Sequence, residues 1–256
     1  MIVNLNYKEE IFSIDLSKPN DLSLIIHNDS QINCFGAPYF HAQPLRFGDF
    51  VLSTANGASC NCFDIKINPH CNGTHTECVG HIAEIQYNIY DLISPIADFA
   101  NVISIFPEKK TDGDYVITKT ILAQFLPETP EKVLIIRTLP NNDDKKQKNY
   151  SGTNPAYIHF EAMQFLVEKG IEHLLIDLPS VDKENDEGKM LSHKAFWNYP
   201  SANVRKHCSI TELVYLTNSI KDGLYFIQVN FPNIGLDASP SKVLLYELNK
   251  IKYSQR

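Results

Sequence analysis

No stretch of this 256-residue chain approaches the roughly 18 consecutive apolar residues of a bilayer-spanning helix, so no membrane partner is expected. Cationic clusters are missing too. The 23 Lys and Arg are outnumbered by 30 Asp and Glu, and the one basic knot, Lys145-Lys146, directly follows Asp143-Asp144. A net charge of −7 without a basic face speaks against a nucleic-acid ligand. The N-terminal "MIVNLNYKEEIFSIDL" lacks the basic-then-apolar layout of a secretory signal, which points to the cytoplasm. No CxxC pair accompanies the cysteines at 34, 60, 62, 71, 78 and 208, so a closed structural zinc site has no obvious frame. In a chain of this length those cysteines are expected as free thiols or metal thiolates. There is no internal repeat, low-complexity tract or Pro/Gly-rich linker, and a single domain over 1–256 is expected.

What is present reads as an α/β chain. "CNCFDIKI" (60–67) alternates Phe63, Ile65 and Ile67 against Cys62, Asp64 and Lys66, the pattern of a half-buried strand. "NVISIF" and "DYVITKTIL" read as further strands. "KVLIIRT" (132–138) and "HLLIDLPS" (173–180) are continuous apolar runs, as in strands buried on both faces. Between them, Asn154-Pro155 offers a cap and a first-turn proline, Phe160, Met163 and Val167 an apolar face, and Gly170 a stop, which predicts a helix. Strand, helix, strand makes a βαβ unit, so part of the sheet is parallel. "YFIQVNFP" and "KVLLYEL" add two late strands to a large mixed β-sheet flanked by helices.

One segment is chemically dense. "HCNGTHTECVGH" (70–81) carries three histidines, two cysteines and a glutamate. In an extended chain Cys71, Gly73, His75 and Glu77 share a face, and His70 and Cys78 point away. Thiolate, imidazole and carboxylate on one side suit a divalent transition metal, with zinc a natural occupant. The plainer alternative, polar residues hydrogen-bonded within a core, stays open on this segment alone. Downstream, an acidic loop after "IDLPSVD" leads into a predicted helix carrying His193, and Glu212 follows in "SITELVYL". Taken singly, these would be a surface histidine and a helix-start carboxylate. Phe40, His41, Phe47 and Trp197 are candidates for an aromatic-accepting pocket, core packing being the commoner role for each.

The ordered set resembles the cyclase family of metal-dependent hydrolases, which includes bacterial kynurenine formamidase (arylformamidase). The family's mark is His-x-Gly-Thr-His-x-Asp-x-Pro-x-His; here stand Cys71, Gly73, Thr74, His75, Glu77, Val79 and His81. "IDLS" near the N-terminus, "IDLPSVD", "LSHKAF", Glu212 and "DASP" (237–240) continue the likeness in order. The resemblance implies metal ligands at Cys71, His75, Glu77, His193 and Glu212, with His81 as the proton-transfer residue. It also implies a swivelling β/β/α fold, one or two Zn2+ ions with Mn2+ possible, and a homodimer or homotetramer. Cys71 for histidine, Glu77 for aspartate and Val79 for proline depart from the pattern.

The expected function is hydrolysis of an amide in a small-molecule substrate, either an aryl formamide such as N-formylkynurenine or a cyclic amide. The alternatives are a metal-dependent lyase or isomerase acting on a carbonyl compound, and a metal-binding protein without turnover.

Overall fold

In the computed structural model, which describes residues 1–251, the site is organised by a nine-stranded mixed sheet. Its strands, in chain order, are β1 (Asn20–Asp21), β2 (His75–Glu77), β3 (Ile96–Ile105), β4 (Val133–Thr138), β5 (His173–Ile176), β6 (Ser209–Glu212), β7 (Gly223–Asn230), β8 (Ala238–Pro240) and β9 (Lys242–Tyr246). Across the sheet they run β8-β2-β6-β5-β4-β3-β7-β9-β1. The four central strands β6, β5, β4 and β3 are mutually parallel, and antiparallel strands extend both flanks. The α/β class and the mixed sheet with flanking helices, the β/β/α arrangement anticipated above, are present. Among the described residues no helix is long and apolar enough to cross a membrane.

The apolar run of β4 explains its central place. Leu134 and Ile136 face one core, with Ile103, Leu174, Met163, Leu166, Phe196 and Trp197. Val133 and Ile135 face a second core on the reverse side, with Val102, Leu175, Ile227 and Leu245. A strand buried on both faces has no use for alternation, so it reads as continuous hydrophobicity. The helix Phe160–Glu168 makes the crossover from β4 to the parallel β5 and ends at Gly170, whose φ of 83° requires little of a residue without a Cβ.

Three local readings are corrected. Asn154-Pro155 does not start that helix. Asn154 takes φ 47° and its amide donates to Asp114, and Tyr157–Ile158 pairs in parallel with Val116–Ile117. His159 is the actual cap, its Nδ1 accepting from the Glu161 N–H. In "DYVITKTIL" only Tyr115–Ile117 is strand. The Thr118 hydroxyl then accepts from the Ile121 N–H and opens a helix, Lys119–Phe125, so a side-chain cap overrides β-branched composition. Phe63–Lys66 is a strand, but no face of it is buried: Phe63 and Ile65 are 56% and 57% exposed. It pairs only with His41–Pro44, in a two-stranded ribbon outside the large sheet.

At the carboxyl ends of the parallel strands one buried ion pair ties the layers together. The Asp177 carboxylate, just beyond β5, accepts from the Thr138 N–H and hydroxyl at the end of β4 and from Lys145 Nζ at 2.8 Å. Burial pushes its pKa up against the opposing pull of Lys145 and Thr138. Removing one partner of such a pair strands the other charge. Asp177→Ala is therefore expected to destabilise the protein by about 3–5 kcal/mol, read from urea unfolding; a loss under about 1 kcal/mol, the range of an exposed pair, would contradict this account.

Candidate metal centre

The centre is built where β2 lies antiparallel to β6. In that register His75 stands directly opposite Glu212, and Glu77 opposite Ile210. Side chains two apart on a strand share a face, and so do cross-strand partners, so His75, Glu77 and Glu212 converge on one side of the sheet. His75 Nε2 is 3.4 Å from Glu212 Oε2. On the reverse side the intervening residues, Thr76 and Thr211, meet hydroxyl to hydroxyl at 2.8 Å. Glu212 is thus a strand-end carboxylate rather than a helix start. Its Oε1 accepts from the Val181 N–H.

The helix Leu191–Trp197 lowers His193 onto this surface, buried at 1% exposure, so it is no surface histidine. Asp182 fixes it. The Asp182 carboxylate accepts from the Ser192 and His193 N–H groups at the start of the helix and stands 2.6 Å from His193 Nδ1. That leaves His193 Nε2 facing Glu77 Oε1 at 3.0 Å and Glu212 Oε1 at 3.8 Å. Carboxylate partners of this kind orient ligating histidines in metal sites. Trp197 lies one turn on, fully buried, with its ring 5.6 Å from that of His193 and its indole N–H donating to Cys208 O. It supports the Leu191–Trp197 helix from within the core and is not among the residues that line the cavity at the centre.

His81 arrives on a single 3₁₀ turn, Val79–His81. The turn is pinned by the buried Val79 and by Gly80, where a Cβ would come within 2.4 Å of the Tyr87 carbonyl. His81 Nδ1 lies 3.3 Å from Asp237 Oδ2 and 3.9 Å from Glu77 Oε2. His70 departs from the parity expectation. Residues 68–73 form turns, and only His75–Glu77 is strand, so alternation does not hold upstream. His70 turns inward: its Nδ1 is 3.1 Å from Glu77 Oε2, its Nε2 is 2.8 Å from Asp237 Oδ2, and its ring stacks on His81 at 4.3 Å.

Cys71 sits at the rim of this group. It lines a cavity of about 360 Å³ together with Phe35, His70, His81, Met190 and Glu212. A hydrogen bond from the neighbouring Cys34 thiol holds its pKa down, against burial, and the same contact pushes Cys34 up. Phe40, His41 and Phe47 are not among the lining residues, and Phe47 is 64% exposed.

Two sets of donor atoms come within 4.8 Å of one another: His75, Glu77 and Glu212, and His70, Glu77 and His81. Glu77 is fully buried, yet its carboxyl is held well below the usual range. Burial opposes ionisation, and His81, His193 and His70 outweigh it. The converse holds for the bases. Against burial, Asp182 and Glu77 push His193 well up, and Asp237 and Glu77 push His70 up to about 10. The buried carboxylates and the histidines around them thus favour each other's charged forms. Among the described residues, His75 Nε2 and Glu77 Oε2 are buried with no hydrogen-bond partner. Orphaned atoms of this kind in a native site call for an explanation, and a metal ion fits these nitrogen and oxygen donors. Sequence reasoning assigned no role to Asp182, Asp237 or His70. The first two lie inside quoted motifs, and the third stands one residue from Cys71.

The fold that carries this centre is shared with known structures. A predicted metal-dependent hydrolase from Bacillus stearothermophilus superposes with a TM-score of 0.61 at 18% identity, over 90% of this chain and 98% of that one. An isatin hydrolase bound to the product analogue thioisatinate gives 0.63 at 12% identity, over 90% and 92% of the two chains. Isatin hydrolase A from Labrenzia aggregata, bound to benzyl benzoate, gives 0.60 at 15% identity, over 90% and 93%. These likenesses establish a shared fold. No curated protein matches significantly. The family model described as putative cyclase matches residues 14–183, a span that holds Cys71, His75, Glu77, His81 and Asp182 and stops before His193 and Glu212. The chain belongs to the cyclase family.

Proposed function

We propose that this protein is a metal-dependent hydrolase that cleaves an amide bond, in an aryl formamide such as N-formylkynurenine or in a cyclic amide. The observation that carries the reading is the pair of orphaned buried atoms, His75 Nε2 and Glu77 Oε2, beside Glu212 at a cavity that also holds His81. Similarity to isatin hydrolases, whose named compound is itself a cyclic aryl amide, favours the cyclic arm. In this reading His75, Glu77 and Glu212 hold the cation, His193 completes the set from the helix, and Cys71 contributes from the rim. A thiolate beside imidazoles is a soft donor set and favours zinc over manganese.

The cation, when bound, supplies Lewis acidity that polarises a carbonyl and acidifies water. The chain's own residues do the rest. Asp182 keeps His193 in one orientation, so the ligand arrives preformed. His81 faces the cavity as the proton acceptor, with Asp237 against its Nδ1, and passes the proton to the leaving nitrogen. Phe35 gives the cavity an apolar wall suited to an aromatic substrate. The free state of all six cysteines suits a cytoplasmic location. A homodimer or homotetramer is part of the same reading, supported by Phe47, Phe50, Phe63 and Ile65 standing exposed on ribbons outside the large sheet.

Hydrolysis of at least one member of a panel of aryl formamides, lactams and lactones is expected, abolished by chelator and restored by zinc. The acid product should carry ¹⁸O from labelled water; turnover without label would point to a lyase or isomerase instead. His81→Ala should retain the first equivalent of metal and lose at least ~10²-fold in turnover; full turnover in that variant would remove the base. For the assembly, light scattering should give a dimer or tetramer and a smaller species for the Phe63→Asp/Ile65→Asp variant, whereas a monomeric parent would refute it.

A further inference from the structure

Cys34 is a buried thiol to which the reading above gives no task. At 1% exposure it packs with Cys71 in one small apolar cluster, beside Ile32, Tyr150 and Leu213. Its Sγ lies 3.4 Å from the His70 carbonyl oxygen and 3.9 Å from that of Cys71, and its thiol is turned to the Cys71 sulfur as well. The other cysteines form no such buried pair. Cys78 and Cys208 belong to two separate clusters, and Cys60 and Cys62 are exposed. Cys34 opens a turn closed by the Ala37 N–H on its carbonyl, and Cys71 lies in the turns before β2. Neither is held in a helix or strand, so the approach to an S–S bond of ~2.05 Å breaks no hydrogen-bonded ladder. The two thiols differ in access. Cys71 lines the 360 Å³ cavity and Cys34 does not, so a small oxidant meets Cys71 first, with Cys34 behind it.

We infer that Cys34 and Cys71 form a reversible disulfide, with hydrogen peroxide as the oxidant, and that closing it withdraws Cys71 from the metal centre. The Cys71 sulfur attacks the peroxide O–O bond and keeps one oxygen as a sulfenic acid, while the other leaves as water. The Cys34 sulfur then attacks the Cys71 sulfur, the S–O bond breaks, and the second oxygen leaves as water. Two thiols thus lose two electrons, and one peroxide takes them up. The disulfide sulfur carries no negative charge for a cation, whereas the thiolate does. Conversely, a cation bound at Cys71 occupies the sulfur electron pair that peroxide needs. Bound metal and closed disulfide therefore exclude one another at this residue. The effect on metal rests on the hydrolase reading, and the cross-link rests on the thiol pair alone.

The test uses Cys60→Ser/Cys62→Ser protein as the parent, because those two exposed thiols would otherwise compete for oxidant and zinc. Metal-free parent is treated with a small excess of hydrogen peroxide, then unfolded, alkylated, digested and analysed by mass spectrometry. A cross-linked peptide joining Cys34 to Cys71 is expected, and dithiothreitol should remove it. Saturation with zinc before peroxide should prevent the cross-link. With Cys34→Ser added, Cys71 should instead be trapped by dimedone as the sulfenic acid, and zinc binding before oxidation should match the parent. Calorimetry of the cross-linked parent should show zinc affinity lowered at least ~10-fold, the scale for losing a group that supports a metal site, and recovered on reduction. Absence of the Cys34–Cys71 peptide, a cross-link that zinc does not prevent, or unchanged zinc affinity after oxidation would each overturn the inference. If Cys34→Ser does not fold, the cross-link in the parent and its reversal decide. A reduced parent that binds no zinc would defeat the hydrolase reading, a separate failure, since the cross-link is read in metal-free protein.

Discussion

A carboxylate with no access to solvent organises this protein's centre. Glu77 is fully buried, and a lone anion there would be strongly disfavoured. It is tolerated because His70, His81 and His193 approach from three separate elements, a turn, a 3₁₀ turn and a helix. Each of those histidines has in turn an acid on its far side or beside it, Asp237 for the first two and Asp182 for the third. The cluster is thus alternating charge in a low-dielectric place, where removal of any one member leaves another exposed to the desolvation it had escaped.

The fold supplies that cluster from segments far apart in sequence. The parallel strands carry Asp177, Asp182 and Glu212 to their carboxyl ends, where loops of α/β proteins gather functional groups. The antiparallel β2 then inserts His75 and Glu77 beside them. Asp177 and Asp182 divide the labour at the end of β5. Asp177 holds the sheet ends to Lys145, and Asp182 holds the helix that carries His193.

Much of this was legible in sequence. Continuous apolar runs announced β4 and β5 because both faces of those strands meet a core, and the parity rule put His75 and Glu77 on one face because they do lie in a strand. The same rule failed five residues before His75. His70 lies in a turn, and no alternation can be read through a reversal of the backbone. Composition misjudged Phe63–Lys66 for a related reason. Period-two alternation records that a strand has two unlike faces, and it does not record whether the large sheet is there to cover one. Capping by Thr118 and His159 is local chemistry and was visible in principle, but Asn154-Pro155 offered a stronger signal that Asp114 diverts.

The paired threonines behind the centre carry a further consequence. Strand side chains alternate with a period of two, so a shift of β2 by one residue against β6 would turn Thr76 toward the cavity and bury His75 and Glu77 in the opposite layer. The Thr76–Thr211 hydroxyl contact, joined by Ser241, lies on the opposite face of the sheet from His75 and Glu77, yet it selects the one alignment in which they face Glu212. The geometry of the centre is guarded from the rear of the sheet.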